Sequence, residues 1–462
     1  MKIKKVLGEG SYGSVVIAEK NGKDYALKTV EGDYYGLVSL QEIDIMNSVY
    51  NPFISSACKT YIEGNAALIF MDLADETLHR YKFQDKKELK LAAFQMVTAL
   101  AFLEKRNIIH GDIKGNNFLC FKNSNGFPLN VRLTDFSLSC RSYGKNSSPL
   151  FKMFCSIYRP LEAWFSEAEC KSDVWALGCC LFELLTGERQ LFPTQDERYD
   201  KSIMFDLKES KEVVHRRWRV SNDGYVTTLG QFAEKTGQVM TVKYAQRIQE
   251  AKERLDKFDK PLNLFVRDWS GVYKTLPTYI KDMLIVDPTC RPSALQLFEA
   301  EYFREERELL TAQLTAFYDE QSRPRSDGQY VLLDGTIRHH ISRNPLEYEE
   351  VRYFIDKVYY QRITKIAAMD IFSKCKHIGD DVYILLACLL ISIKITDPSN
   401  LEWFEYDRQK ELSDNLDSDE EEDMKRILES EKLICQSLNY VLYPESTELF
   451  DLTDDQLSAF FL

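Results

Sequence analysis

Residues 108–117 read IIHGDIKGNN and carry three polar side chains whose spacing suits phosphoryl transfer. Asp112 could accept the proton of an incoming hydroxyl, Lys114 could neutralise the moving phosphoryl group, and Asn117 could hold a magnesium ion. Asp135, eighteen residues further on in LTDFSLS, offers a second oxygen ligand of the kind that suits Mg²⁺ carried in with ATP. An Asp-x-Lys-x-x-Asn pattern alone is common by chance, so its meaning depends on the rest of the chain.

The chain begins with a glycine-rich pattern. Residues 7–15 read LGEGSYGSV, with glycines at positions 8, 10 and 13 between two strand-like runs. This hairpin context favours a flap over nucleotide phosphates and disfavours a dinucleotide-binding turn, which needs a strand followed by a helix. Glycine suits such a flap because the backbone must approach phosphate closely. Taken alone, the motif fits an ordinary glycine-rich hairpin better.

The strand-like run YALKTV puts Ala26 and Lys28 on one face, because side chains alternate along a strand. A small residue would leave room for adenine, and the lysine could reach the α- and β-phosphates. A lysine among apolar residues needs an anionic partner. The helical stretch GLVSLQEIDIMNSVY supplies Glu42 beside an inward apolar stripe. We expect Glu42 to pair with Lys28, although a solvated helix carboxylate is the simpler alternative.

These motifs occur in one order and spacing, and on them residues 1–305 resemble a eukaryotic-type protein kinase. The stretches SLQEIDIMNSVYNPFI and LIFMDLADETL resemble the regulatory helix and hinge of cyclin-dependent kinases. The resemblance implies an α+β bilobal protein kinase fold, with a β-rich N-lobe at about 1–73 and a helical C-lobe at about 74–305 that contains an insertion at about 207–268. It also implies ATP and Mg²⁺ as cofactors and serine/threonine kinase activity on protein substrates.

The resemblance carries roles to particular residues of this chain. The catalytic residues it implies are Asp112, Lys114, Lys28 and Glu42, and the metal ligands are Asn117 and Asp135. The nucleotide contacts it implies are Leu7, Gly8, Glu9, Gly10, Ser11, Tyr12, Gly13, Val15, Ala26, Lys28, Phe70 (as gatekeeper), Met71, Asp72, Leu73 and Leu119. Ser11 and Tyr12 are interpreted as ordinary flap residues in preference to sites of inhibitory phosphorylation.

Three structural features of the C-lobe are also predicted. Glu162 in YRPLE would form a buried ion pair with Arg291 in VDPTCRPSA, and Asp173 would hold the catalytic-loop backbone. The stretch KSDVWALGCCLFELLTG is apolar nearly all round, which predicts a buried helix that ends at Gly187.

Three residues depart from the kinase pattern. Gly111 replaces an arginine that grips a phosphorylated activation loop in many kinases, Ser137 replaces the glycine after Asp-Phe, and Cys155 replaces a threonine that contacts the catalytic aspartate. None of them touches ATP, metal or the transferred group. We therefore expect an active enzyme with a weakened phosphate switch, because loop phosphorylation has lost its charge partner. A catalytically silent scaffold that binds other cell-cycle or transcription proteins is the alternative.

A separate helical domain is predicted at 341–455, after a linker at 306–340 that is rich in Pro, Gly, Asp and Ser around 320–335. Helical patterns run at about 346–359, 361–376, 380–395, 402–411 and 419–439. The stretches DDVYILLACLLISIKITD and ILESEKLICQSLNYVLYPESTELF resemble a cyclin box, which implies an all-α cyclin-like five-helix domain. A five-helix accessory bundle is the alternative. In cyclins, the lysine and glutamate at two such positions contact the kinase regulatory helix, which implies Lys394 and Glu431 here.

The two resemblances together suggest a mechanism of activation. A cyclin-like domain packed on the helix that bears Glu42 would push this helix inward and complete the Lys28–Glu42 pair. Fusion would make the contact intramolecular, at an effective concentration on the order of millimolar for a flexible tether. Whether the contact forms within one chain, between two copies or with another kinase stays open, as does the identity of the substrate.

Composition limits the other classes of function. The 462 residues predict two or three domains, and the net charge of −13 disfavours both direct nucleic-acid binding and a transcription-factor-like module. Eleven cysteines without paired C-x-x-C units indicate reduced thiols. No signal peptide is expected at MKIKKVLGEG, and the longest apolar run, 382–393, is shorter than the ~20 residues that span a bilayer. We expect a soluble cytoplasmic or nuclear protein, with no role assigned to the insertion or to the acidic tract 413–423.

Overall fold

The computed structural model describes residues 1–10, 13–31, 40–49, 51–63, 66–124, 127–141, 156–165, 167–188, 191–192, 211–256, 268–311, 362–375, 378, 382–396 and 420–438. The chain divides into two compact units. The first unit comprises Met1–Tyr50, Ser56–Leu73 and Glu320–Leu462, and the second comprises Asn51–Ser55 and Ala74–Asp319. The division after Leu73 falls at the predicted boundary between N-lobe and C-lobe.

A five-stranded antiparallel sheet forms the N-terminal part of the first unit. Its strands are β1 (Lys2–Gly10), β2 (Gly13–Lys20), β3 (Lys23–Glu31), β4 (Lys59–Glu63) and β5 (Ala66–Asp72), in the order β1-β2-β3-β5-β4. Because side chains alternate along each strand, the sheet has two distinct faces. One face carries Ala26 and Lys28, and the other carries an apolar cluster of Ala18, Leu27 and Phe70.

Helix α1 (Leu40–Ser48) is packed against this sheet. Ile43, Ile45 and Met46 are fully buried, and the Asn47 side-chain amide donates to Thr60 Oγ1 of β4 at 3.1 Å. A helix of nine residues is too short to be stable alone in water, so its position depends on such tertiary contacts.

The second unit begins with short strands around one long helix. The elements are β6 (Glu76–Thr77), α2 (Lys86–Glu104), β7 (Ile108–Ile109), β8 (Phe118–Ser124), β9 (Phe127–Leu133) and β10 (Cys140–Arg141). Strands β6, β8 and β9 form one sheet, and β7 pairs with β10 in another. The side chain of Asp85 caps α2 by accepting from the backbone N–H groups of Lys87 and Glu88, an arrangement that typically stabilises a helix by about 1 kcal/mol.

The helical part of the second unit is built around helix α3 (Cys170–Thr186), which is buried as predicted and ends at Gly187 in the left-handed conformation. The following helices are α4 (Lys211–Thr236), α5 (Val242–Asp256), α6 (Trp269–Thr275), α7 (Thr278–Met283), α8 (Ala294–Glu299) and α9 (304–311). Short 3-10 turns lie at Gly115–Asn117, Phe136–Leu138, Ser156–Tyr158, Glu162–Phe165 and Glu301–Phe303.

The stretch predicted as an insertion, 207–268, supplies helices α4 and α5. Phe232 of α4 lies 5.0 Å from Phe192, 6.4 Å from Trp175 and 5.9 Å from Trp269, measured between ring centroids. The described part of this stretch therefore contributes to the aromatic core of the second unit.

The predicted linker begins later than residue 306. Residues 304–311 are helical, Leu310 is fully buried, and Glu306 pairs with Lys90 of α2 at 3.0 Å. The sequence missed this because the Pro- and Gly-rich composition that marks a linker starts only near residue 320. The rest of the predicted linker lies outside the described residues.

Three of the five predicted C-terminal helices are described: α10 (Arg362–Cys375), α11 (Val382–Thr396) and α12 (Glu420–Ser437). The predicted helices at 346–359 and 402–411 lie outside the described residues. Helix α11 contacts α10, α12 and also α1. Nearly all of its described side chains are buried, which explains why its sequence is apolar on every side. In the described part of the chain, no helix is both long and apolar enough to cross a membrane.

Candidate active site

The glycine-rich pattern forms the hairpin of β1 and β2, as predicted. Gly10 pairs with Gly13, Glu9 with Ser14, and Gly8 with Val15. Gly13 has φ of 132°, and a Cβ there would lie 1.9 Å from the Thr29 carbonyl oxygen, so only glycine fits. Leu7 lies at a register shift of β1 and is about half exposed. Ser11 and Tyr12 lie outside the described residues.

The predicted ion pair between Lys28 and Glu42 is confirmed. Lys28 Nζ lies 2.5 Å from Glu42 Oε1, and both side chains are buried. Lys28 is opposite Val15 of β2 and Ile69 of β5, and Ala26 is opposite Met71. The pair therefore joins β3 to α1 on the face of the sheet that also carries Ala26, which we name the lysine face.

Phe70, predicted as the gatekeeper, lies on the face of the sheet opposite to the lysine face. Phe70 is opposite Leu27 in the sheet and packs on the other face, against Tyr25 and Tyr61 with ring centroids 5.9 and 5.8 Å away. Met71 is opposite Ala26 and lies on the lysine face.

The two residues that follow Met71 are placed differently from each other. Asp72 is the last residue of β5, and its carboxylate lies 3.4 Å from Lys23 Nζ. Leu73 follows β5 directly and ends this part of the first unit.

Residues 108–117, the predicted catalytic loop, lie in the second unit. The polar side chains singled out in this loop meet at Asp112. Lys114 Nζ donates to Asp112 Oδ2 at 2.6 Å. The Asn117 side-chain amide donates to the same carboxylate oxygen and to the Asp112 backbone carbonyl, both at 2.9 Å. A 3-10 turn at Gly115–Asn117 brings Asn117 back towards Asp112. Leu119 lies just beyond, in β8, opposite Thr77 and Arg132.

The backbone of this loop is held by Asp173, as predicted. The Asp173 carboxylate accepts from the N–H groups of His110 at 2.7 Å and Gly111 at 2.9 Å. Burial raises the pKa of Asp173 to about 7, and the two hydrogen bonds oppose this rise. Gly111 has φ of 77°, a conformation that glycine adopts without steric cost. Gly111 therefore suits the local backbone conformation, and it also leaves this position without the arginine found in many kinases.

His110 links the catalytic loop to the Asp-Phe segment. Burial lowers the pKa of His110, and a neutral ring fits its two partners. Nε2 lies 3.0 Å from the carbonyl oxygen of Thr134, to which it donates, and Nδ1 accepts from the Asp112 N–H. The His110 ring also lies 5.0 Å from that of Phe136, which is fully buried.

Asp135 adopts the left-handed conformation with φ of 68° and ψ of 76°. Ser137 Oγ donates to Asp135 Oδ1 at 2.9 Å. Ser139, which the sequence did not single out, donates from Oγ to the His110 carbonyl oxygen at 2.9 Å. No local sequence signal identifies this bond, because donor and acceptor are 29 residues apart. Cys155, the third departure from the kinase pattern, lies outside the described residues.

The oxygen atoms of Asn117 and Asp135 are of the chemical type that suits magnesium, and their role as its ligands stays a prediction. Because the Asn117 nitrogen is committed to Asp112, the Asn117 amide oxygen is directed elsewhere and can act as a ligand. The Asp135 carboxylate supplies further oxygen atoms, and both Asp112 and Asp135 act on His110 through their charges. Carboxylate and amide oxygens suit Mg²⁺ that arrives with nucleotide phosphates.

The predicted buried pair of Glu162 and Arg291 is confirmed in the second unit. Arg291 Nη1 lies 2.7 Å from Glu162 Oε1, and both side chains are fully buried. Arg291 also donates to the carbonyl oxygens of Ile285, Val286 and Lys171, while Glu162 accepts from Ser172 Oγ. Hydrogen bonds to the remaining atoms are what make a buried pair tolerable.

Lys394 and Glu431 form a second buried lysine–glutamate pair, with Nζ 2.5 Å from Oε1. It joins α11 to α12, and α11 contacts α1. On α12, Cys435 lies close enough to Asp44 of α1 for the aspartate to help raise the thiol pKa, which burial raises most. The structure describes the two side chains as partners of each other, so their direct contact with α1 stays a prediction.

Comparison with known proteins gives a family and several distant relatives. Residues 1–303 match the protein kinase domain family. Serine/threonine-protein kinase 33 of Mus musculus is 26% identical over 273 residues, which are 54% of this chain and 53% of that protein. CTD kinase subunit alpha of Schizosaccharomyces pombe is 25% identical over 315 residues, 65% of this chain and 48% of that protein. Cyclin-dependent kinase G-2 of Oryza sativa subsp. indica is 30% identical over 213 residues, 42% and 29% respectively.

The chain spans about half the length of the first relatives it matches. The matched family covers well over half of the chain itself. The Lys28–Glu42 pair, the loop around Asp112 and the segment that begins at Asp135 all lie within the matched residues, and this chain belongs to the protein kinase family.

Proposed function

We propose that this chain is a serine/threonine protein kinase that transfers a phosphoryl group from Mg·ATP to hydroxyl groups of protein substrates. The observation that carries the proposal is the cluster at Asp112, with Lys114 and Asn117 bonded to one carboxylate oxygen. The Lys28–Glu42 pair on the lysine face supports it. Two of the relatives described above are named as serine/threonine or cyclin-dependent kinases.

The roles follow from charge and position. Asp112 accepts the proton of the substrate hydroxyl, and Lys114 stabilises negative charge on the transferred group. Lys28 binds nucleotide phosphates, and Glu42 fixes its ammonium group. Asn117 and Asp135 hold Mg²⁺, which neutralises phosphate charge. The flap from Leu7 to Val15 covers the nucleotide, and Ala26, Met71 and Leu73 contact adenine, with Met71 as gatekeeper instead of Phe70.

Phosphate transfer from ATP to a generic protein substrate tests this proposal in the full chain. The wild type should show transfer to serine or threonine, and Asp112→Asn should reduce it to background. Ser124→Ala is a suitable control, because the Ser124 hydroxyl accepts a hydrogen bond from Arg132 within the β8–β9 hairpin and lies outside residues 108–117. If the wild type binds Mg·ATP but transfers no phosphate, the chain is a scaffold with a kinase fold.

We further infer that the C-terminal helices act as a cyclin-like activator of this kinase. The contact between α11 and α1 supports this, since α1 carries Glu42. A short helix needs external contacts to stay in place, and Gly111 offers no arginine for a phosphate-dependent alternative. The name of the rice relative, a cyclin-dependent kinase, is in keeping with control by a cyclin-like partner.

Variants of the Lys394–Glu431 pair test the activator role without shortening the chain. Lys394→Met should lower phosphate transfer because it disturbs the helices that contact α1. Lys374→Met is the matched control, since Lys374 also pairs with a carboxylate, Asp370 of the same helix, but is more than one third exposed. Unchanged transfer in a Lys394→Met protein with disrupted C-terminal helices would exclude activation by this domain.

A further inference from the structure

Ser137 and Ser139 lie on the C-terminal side of the Asp135–Phe136 turn, and both hydroxyls are hydrogen-bonded. Ser137 Oγ donates to the Asp135 carboxylate, and Ser139 Oγ donates to the backbone carbonyl of His110, each at 2.9 Å. Ser139 is buried. The two bonds act on different parts of the site, since one holds the proposed metal ligand and the other ties the Asp-Phe segment to the catalytic loop.

The backbone at this turn needs such support. Asp135 has φ of 68°, a left-handed conformation that costs free energy for a residue with a Cβ. In many kinases an arginine at this position grips a phosphorylated loop, but here residue 111 is glycine. The described hydrogen bonds of the two serines hold the Asp135 carboxylate and the His110 backbone separately, and neither bond requires a phosphate.

We propose that Ser137 and Ser139 are positioning residues that act in place of a phosphate-dependent clamp. Ser137 holds Asp135 ready for Mg²⁺, and Ser139 holds the backbone of the catalytic loop in place. This inference rests on the proposed kinase function. Ser137 restricts the rotation of the Asp135 carboxylate, so fewer conformations are lost when the metal binds. Ser139 fixes the His110 backbone, which the Asp173 carboxylate holds from the other side.

A purely local role makes a different prediction. Serine hydroxyls often bond to neighbouring groups in turns without any function. In that case, removing the Ser137 hydroxyl would change stability at most, and the dependence of nucleotide binding on Mg²⁺ would be unaltered. The Mg²⁺ dependence is therefore the measurement that separates the two roles.

Binding of fluorescent N-methylanthraniloyl-ADP to the full chain, titrated with MgCl₂, provides this measurement. Ser137→Ala should weaken the apparent Mg²⁺ affinity on the order of 10-fold, the size seen when a partner of a metal ligand is lost, and leave Mg²⁺-free nucleotide binding unchanged. Ser137→Thr keeps the hydroxyl and should restore the wild-type affinity. Ser124→Ala, the control described above, should match the wild type.

Ser139→Ala tests the second bond through hydrogen exchange. Exchange of the backbone amides in residues 108–112 should become faster, while the Mg²⁺ titration stays close to that of the wild type. Unaltered exchange in this segment would overturn the role of Ser139.

The results also distinguish this inference from the proposed function. A wild type that shows no Mg²⁺-dependent nucleotide binding would remove the kinase proposal and this inference together. A wild type that binds, with Ser137→Ala equal to it, would overturn the inference alone. If Ser137→Ala is unstable, loss of Mg²⁺ affinity in Ser137→Gly with retention in Ser137→Thr carries the same decision.

Discussion

In the described part of the first unit, two buried lysine–glutamate pairs of equal length connect different elements. Lys28–Glu42 joins a strand to the nine-residue helix α1, whereas Lys394–Glu431 joins the longer helices α11 and α12. Helix α1, which carries Glu42, contacts helix α11, which carries Lys394. The first pair depends on where a short helix is held, and the second joins two of the helices in the group that packs on it. Similar chemistry thus occurs at the site proposed for catalysis and between two packed helices.

Removal of the first lysine should have the largest effect on activity. Lys28→Met should lower kcat/KM for phosphate transfer on the order of 10³-fold, since one preorganised group that stabilises transition-state charge is lost. The C-terminal helices should remain folded, as judged by hydrogen exchange of 382–396. Lys23→Met is the matched control, because Lys23 lies on the same strand and its pair with Asp72 is exposed. Activity of Lys28→Met within a few-fold of the wild type would contradict the role of the pair.

The second pair should respond mainly in stability. Lys394→Met leaves the Glu431 charge buried without its partner, and we expect a loss of about 3 kcal/mol in the free energy of unfolding of the C-terminal helices. The double variant Lys394→Met/Glu431→Leu should lose less than Lys394→Met alone, because no buried charge is left. Urea unfolding followed through exchange of 382–396 measures both. If the double variant were less stable than Lys394→Met alone, the ion pair itself would stabilise the helices. The loss in Lys394→Met would then not come from the unpaired charge of Glu431.

Residues near in sequence or joined by a motif were predicted well. Lys28–Glu42 is predictable because a lysine among apolar residues needs a carboxylate and the next helical stretch supplies one. Glu162–Arg291 is predictable from the kinase resemblance. The bond between Lys394 and Glu431, 37 residues apart, is not predictable in the same way, and the contact of both residues with α1 that the resemblance implies stays a prediction. Packing of helices that are distant in sequence decides such contacts, and one sequence does not contain it.

The face on which Phe70 lies was not predictable from its own strand. A shift of one residue in strand pairing moves every side chain to the opposite face, and the register between β3 and β5 appears only in the folded sheet. The contribution of 207–268 to the core was missed for a similar reason. Its mixed, charged composition indicates an insertion without a defined role, but Phe232 packs on aromatic residues supplied by distant segments.

Because Phe70 and Met71 lie on opposite faces of the sheet, substitutions at the two positions test which face binds the nucleotide together with Lys28. Met71→Gly should enlarge the adenine pocket and let the enzyme use an ATP analogue with a bulky N6 substituent. Phe70→Ala should not, but should lower the free energy of unfolding by about 3 kcal/mol, since a large apolar ring is lost from the opposite face. Activity assays with the analogue and urea unfolding measure the two effects. Analogue use by Phe70→Ala alone would return the gatekeeper role to Phe70.

A third ion pair, between Arg247 and Glu167, is less buried than the other two and should respond to pH. Arg247 holds the Glu167 carboxylate with two hydrogen bonds, of 2.7 and 2.8 Å, and lowers its pKa from 4.5 to about 2. Since the folded pKa is depressed, the stabilisation is present above pH 4.5 and is lost as pH falls towards 2. Both side chains are a quarter to a third exposed, so we expect at most about 1 kcal/mol. The difference in unfolding free energy between wild type and Glu167→Gln should therefore be small at neutral pH and shrink in acid and in high salt. If Glu167→Gln instead cost as much as Lys394→Met, burial would not be what separates these pairs.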